Sequence, residues 1–147
     1  MFAKKPKKDS KAEVFTPEEE VLILNRIKDR KNKWNLAYLS IALNFHLALR
    51  VGELCALKWS DITDDMIAIK RAEISHLPEN DKKGKKITKI STPKTVAAFR
   101  SIPLTDEAIQ ILHEIKEISK AEDWYDKNGY IFVGKKGRLT ARQINSC

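Results

Sequence analysis

From Asn35 to Leu49 the sequence reads Asn-Leu-Ala-Tyr-Leu-Ser-Ile-Ala-Leu-Asn-Phe-His-Leu-Ala-Leu, with apolar residues on nearly every side of a helix. Such a helix cannot lie on a surface. It predicts a central buried scaffold around which the rest of the chain packs. The run Leu36 to Leu49 falls short of the roughly 20 residues that cross a bilayer. The start, Met1-Phe-Ala-Lys-Lys-Pro-Lys-Lys, is charged with no apolar region behind it, so it does not read as a signal peptide. A cytoplasmic protein with no membrane partner is the expectation.

The other elements follow from spacing. Residues 1–14 are Lys-rich without apolar period, which predicts a flexible basic segment, either a solvated tail or linker or a DNA-tracking arm. Thr16-Pro17-Glu18-Glu19 predicts a helix start with a capping box, and Val21, Leu22, Leu24 and Ile27 continue at helical spacing toward the charged run Lys28 to Lys33. Gly52 to Leu57 predicts a further turn or two of helix. Met66 to Ile74, Lys86 to Ser91 and Phe99 to Leu104 predict three antiparallel strands, with turn residues from Pro78 to Gly84. Thr105 caps another helix with Ile109, Ile111, Leu112, Ile115 and Ile118 as its apolar face, running to about Lys120. Tyr130 to Val133 reads as a short buried segment, Gly134 to Gly137 as a basic turn, and Thr140 as the cap of a last helix. The fold class is α+β, mostly helical with a small three-stranded antiparallel sheet.

At 147 residues the chain can bury a core without staples. Cys55 and Cys147 give neither a disulfide framework nor a metal-ligand spacing. There is no Gly-rich phosphate loop, metal cluster or nucleophile elbow in the sequence. The net charge of +8 favours a polyanionic partner, because each Lys or Arg placed on a phosphate releases condensed counterions.

One stretch carries more. Leu47-Ala48-Leu49-Arg50-Val51-Gly52-Glu53-Leu54-Cys55-Ala56-Leu57-Lys58-Trp59-Ser60-Asp61-Ile62 resembles the first box of tyrosine recombinases of the phage and transposon integrase type. Downstream, Ser91-Thr92-Pro93-Lys94-Thr95 and Arg100-Ser101-Ile102-Pro103-Leu104 resemble the strand, turn and strand that present that family's catalytic Lys. Phe132-Val133-Gly134 and Gly137-Arg138-Leu139-Thr140 continue in the same manner. Two departures stand out: Ala48 replaces a usual Gly, and Val96-Ala97-Ala98-Phe99 lacks the usual polar residue before the strand Arg.

The resemblance implies cleavage of double-stranded DNA by a Tyr hydroxyl, a 3′-phosphotyrosine intermediate, and neither metal nor nucleotide cofactor. Cations are needed where negative charge builds on phosphate oxygens. Arg50 fits, since its planar fork can hold two of them; the plainer alternative is a helix-terminus cap after Leu49. Glu53, three residues on, would orient Arg50 through a salt bridge, or form an ordinary surface pair. Lys94 would protonate the leaving 5′-oxygen, against the alternative of one solvated turn lysine among many. Arg100 reads as a phosphate contact or a strand-face charge, and Lys58 and Thr95 join it as expected DNA contacts. Trp59 and Asp61 read as packing and loop-capping residues.

The family's His-x-x-Arg pair and Tyr nucleophile have no match here. His46, His76 and His113 lack an Arg three residues later, Tyr38 falls in the buried helix, and Tyr125 and Tyr130 fall in a structural region. The expectation is therefore a basic segment at 1–14 followed by a partial catalytic domain at 15–147 whose C-terminal portion is missing. Such a chain cuts no DNA alone, leaves an apolar patch exposed, and associates with itself or with other recombinase protomers. A naturally short, non-catalytic DNA-binding remnant is the alternative, and a basic helical scaffold for protein or RNA is a third.

Overall fold

A computed structural model of the chain describes residues 14–29, 36–80, 84–96 and 99–147. The basic N-terminal segment up to residue 13, the expected helix start at Asn35, part of the Pro78 to Gly84 turn and Ala97-Ala98 lie outside them.

Helix α1 (Pro17–Asp29) begins as its capping box requires. The Thr16 N–H donates to Glu19 Oε2 at 2.9 Å, and the Glu19 N–H donates to Thr16 Oγ1 at 3.2 Å. Helix α2 (Leu36–Leu47) is the expected scaffold: Leu36, Ala37, Ala42, Leu43 and Leu47 are buried. It packs against α4 (Asp106–Ala121), which contributes Ala108, Leu112, Ile115 and Ile118 and is capped by Thr105, whose Oγ1 accepts from the Ala108 N–H at 3.2 Å. Between them run the short α3 (Val51–Cys55) and a single 3-10 turn (Trp59–Asp61). Ile131, Phe132 and Ile144, the last from α5 (Ala141–Asn145), close the same core. Burial of these side chains supplies the main driving force for the fold.

The chain is α+β with small antiparallel sheets. Strands β1 (Ile62–Thr63), β2 (Met66–Ile69) and β5 (Arg100–Pro103) form a three-stranded sheet in the order β1-β2-β5. Strands β3 (Ala72–His76) and β4 (Ile87–Ser91) make a separate two-stranded ribbon, and β6 (Val133–Gly134) pairs with β7 (Gly137–Arg138). The run Met66 to Ile74 is therefore two strands in two sheets, not one. The break falls at Lys70-Arg71, where the Arg71 guanidinium turns inward onto Asp61 and the Ala56 carbonyl. Alternation carries Ile67 and Ile69 into the core, and Ile69 pairs with Arg100 across the β2–β5 ladder.

Candidate functional site

The bend between α2 and α3 aims Arg50. Ala48 takes a left-handed conformation with φ of 50°, unusual for a residue with a Cβ. Asn44 holds it: its Oδ1 accepts the Leu49 N–H at 2.8 Å, and its Nδ2 donates to the Leu49 carbonyl at 3.0 Å. Arg50 follows in extended conformation at the N-cap of α3, its side chain exposed. Its backbone occupies the cap position, and a guanidinium has no acceptor with which to cap, so the side chain is left for other work. Gly52 lets α3 sit flush on β3, since a Cβ there would stand 2.5 Å from the Glu73 carbonyl oxygen.

Between α3, β3 and the segment after β4 opens a cleft of about 420 Å³, lined by Arg50, Glu53, Arg71, Ala72, Ser91 and Arg100 among others. Three arginines in one cleft would make a strong anion site, but two are neutralised. Arg100 forks onto Glu53, with Nη1 donating to Oε1 at 3.0 Å and Nη2 to Oε2 at 2.9 Å. Arg71 forks onto Asp61 at 2.7 and 2.9 Å, and Lys70 adds its charge at 3.6 Å. Arg50 has no carboxylate partner among the described residues. Among the described residues it is the lining arginine without an ion pair.

Glu53 is placed to remain ionised. The Arg100 guanidinium holds its carboxyl below the ordinary value against the opposing effect of burial, and the Arg50 backbone N–H, donating to Oε2 at 3.1 Å, helps. Bound to a carboxylate, Arg100 holds its own proton more tightly than usual. The expected Arg50–Glu53 side-chain salt bridge is not among the ion pairs of the described residues. A guanidinium 47 residues along the chain takes that place, and Arg50 meets Glu53 through its main chain.

Of the other expected site residues, Lys94 and Thr95 follow Pro93 on an exposed turn at the cleft's rim, beyond the lining residues. Lys58 lies elsewhere, with its Nζ 4.8 Å from the centroid of the Tyr130 ring. Tyr130 also faces Arg138 at 5.4 Å, a structural position. His46 is half-buried with Nδ1 3.4 Å from Thr105 Oγ1. Burial pushes the Cys55 thiol up to about 12, which removes it as a nucleophile.

Two charged pairs were not anticipated. Asp61 does cap its loop, accepting the Lys58 N–H at 2.8 Å, but it is also the anchor for Arg71. Glu73, buried beneath α3, meets Arg138 at 2.6 Å and accepts the Ala141 N–H at 2.9 Å, tying the ribbon to the start of α5. The signal for the first was the charged pair Lys70-Arg71 inside an apolar strand pattern. The second had none beyond a Glu within a strand.

The sequence pattern of the Phage integrase family matches residues 13–147, which include every residue of the cleft. The chain belongs to the phage integrase family. Among its relatives in that family, the prophage ps2 probable integrase of Lactococcus lactis subsp. lactis (strain IL1403) is 34% identical over 119 residues. That alignment covers 78% of this chain and 30% of the relative, so the chain spans less than a third of that integrase's length. The fold is that of solved family structures. The Tn1549 transposon integrase in complex with transposon right end DNA superposes with a TM-score of 0.69 at 23% identity, over 92% of this chain and 44% of that one. The same integrase in complex with a circular intermediate DNA gives 0.71 at 23% identity, over 93% and 43%.

Proposed function

We propose that this chain is the phosphate-gripping part of a site-specific tyrosine recombinase of a mobile element, binding double-stranded DNA at the α3 cleft. In the full-length enzyme, strand breakage and rejoining pass through a 3′-phosphotyrosine. The observation that carries the reading is the cleft in which one arginine, Arg50, has no ion pair among the described residues. A guanidinium fork matches two non-bridging oxygens of one phosphate and needs no reorganisation as charge builds on them. Lys94, on the exposed turn at the rim, is the group that delivers a proton to the departing 5′-oxygen. Thr95 and Lys58 extend the contact along the backbone. The nucleophile and the His-x-x-Arg pair have no match in these 147 residues, so the chain supplies binding and part of the charge, not the attack. Relatives that include such integrases, and solved family members bound to DNA, support this reading. Self-association with recombinase protomers belongs to the same proposal, and light scattering at high concentration tests it.

The direct test is fluorescence anisotropy of a labelled duplex across a salt series. Affinity should fall linearly on logarithmic axes, with a slope of about 0.9 for each phosphate neutralised, and Arg50→Gln should reduce that slope by about 0.9. A chain that shows no salt-dependent affinity for duplex DNA, or an Arg50→Gln variant that binds like the original, would refute it.

A further inference from the structure

Arg100 lines the cleft and keeps a side chain 43% exposed, yet it spends both terminal nitrogens on Glu53, whose own side chain is 11% exposed. Glu53 in turn holds the main chain at Arg50. Arg100 also ends the turn that carries Lys94. That turn is tied at its near end by Ser91, which pairs with Ala72 in the ribbon, and at its far end by Arg100, which pairs with Ile69 in the sheet. Within it, the Phe99 N–H closes onto the Val96 carbonyl at 3.0 Å. The fork therefore joins the helix presenting Arg50 to the strand that ends the turn carrying Lys94.

We infer that Arg100 and Glu53 are a positioning pair, which sets the separation of Arg50 from the turn that carries Lys94 and does not itself hold phosphate. The inference rests on the proposed reading of Arg50 as a phosphate ligand. It makes a claim of sign. An isolated carboxylate in a DNA cleft repels the backbone, so removing its charge alone should tighten binding. If Glu53 acts by holding Arg50 in place, Glu53→Gln should weaken binding instead.

The 147-residue chain and a labelled duplex suffice for the test. Glu53→Gln and Arg100→Gln should each weaken binding by roughly fivefold to tenfold, the loss expected when one charge-assisted contact is misplaced. In the Arg50→Gln background, the charge-neutral pair of changes Glu53→Gln and Arg100→Gln should have no further effect, so the triple variant loses about 0.9 of salt slope in all. A triple variant that loses about 1.8, or a Glu53→Gln chain that binds more tightly, would overturn the inference. A readout free of DNA runs beside it. In Arg100→Gln the Arg50 amide should exchange with solvent faster relative to the core amides of α2, a local change that general destabilisation does not produce. Unchanged relative exchange sinks the positioning role whatever the DNA assay gives. Failure of the unaltered chain to bind DNA refutes the functional reading, and the amide exchange still decides the pairing.

Discussion

Adding one methyl group at Gly52 should unseat α3 from the ribbon beneath it. The ideal Cβ falls 2.5 Å from the Glu73 carbonyl oxygen, with the Glu73 carbonyl carbon and nitrogen both at 3.5 Å. A carbon near a carbonyl oxygen settles at roughly 3.3 Å, so helix and strand must part by about 0.8 Å. The obstacle is backbone and it is held from several sides. Glu73 pairs with Ile90 across the ribbon, its side chain meets Arg138 at 2.6 Å, and it accepts the Ala141 N–H at 2.9 Å. Overpacking of this kind costs about 3 kcal/mol, at the upper end of its usual range. Replacing a helical glycine returns about 1 kcal/mol through lower unfolded-state entropy. The net is a destabilisation of about 2 kcal/mol, which for a chain of this size lowers the melting temperature by about 6–8 °C. Thermal unfolding followed by circular dichroism at 222 nm measures it, with a urea titration as an independent scale. DNA affinity should fall in parallel, because Arg50 and Glu53 ride on α3 while Ala72 and Ile74 line the opposite wall. A Gly52→Ala chain as stable as the original would mean that α3 and β3 do not touch here, and the cleft built on that contact would go with it.

Four residues earlier the opposite exchange should help. Ala48 holds a φ of 50° at a cost of about 1–2 kcal/mol, and glycine gives back roughly 0.5–1 kcal/mol of entropy, so Ala48→Gly should stabilise by about 0.5–1 kcal/mol in urea unfolding. A less stable Ala48→Gly chain would argue against the left-handed turn. Glu53 sets a pH dependence: its folded-state pKa lies below its ordinary value of 4.5. Its stabilising contribution is therefore complete above the unfolded value and is lost as pH falls through the folded one. The unfolding midpoint of the unaltered chain should drop more steeply below about pH 4.5 than that of Glu53→Gln, and parallel profiles would refute the pairing. Incubated with a nicked suicide duplex, the chain should form no covalent DNA complex on denaturing gels. A stable adduct would reveal a nucleophile among its own residues.

What the sequence disclosed and what it withheld divide by the range of the interaction. Caps act over three residues, so Thr16 with Glu19 and Thr105 with Ala108 were legible and stand as expected. The buried helix was legible because apolar residues on every side exclude a surface position. Strand membership was harder. Met66 to Ile74 has strand character throughout, and the inward turn of Arg71 toward Asp61, ten residues back, marks where it divides between two sheets. The motif spacing singled out Arg50, Glu53 and Arg100, which the fold gathers in one cleft, but not Arg71, and spacing says nothing about partners brought together by folding.

The consequence is sharpest at Glu53. Three residues from Arg50 it is the obvious local partner, and local reasoning assigns the pair. The fold offers a guanidinium from the start of β5 that can meet both carboxylate oxygens at once, a bidentate contact that a side chain leaving the N-cap of the same short helix does not make. A bidentate fork is stronger than a single contact and fixes orientation as well as distance. Glu53 therefore takes the distant arginine, and the near one has no ion pair among the described residues. Had the nearer pairing prevailed, Arg50 would be neutralised and Arg100 would be the lining arginine without an ion pair, so the same residue types would carry the charge at a different place in the cleft. Which arginine of the cleft keeps an ion pair is settled by a contact across 47 residues of sequence.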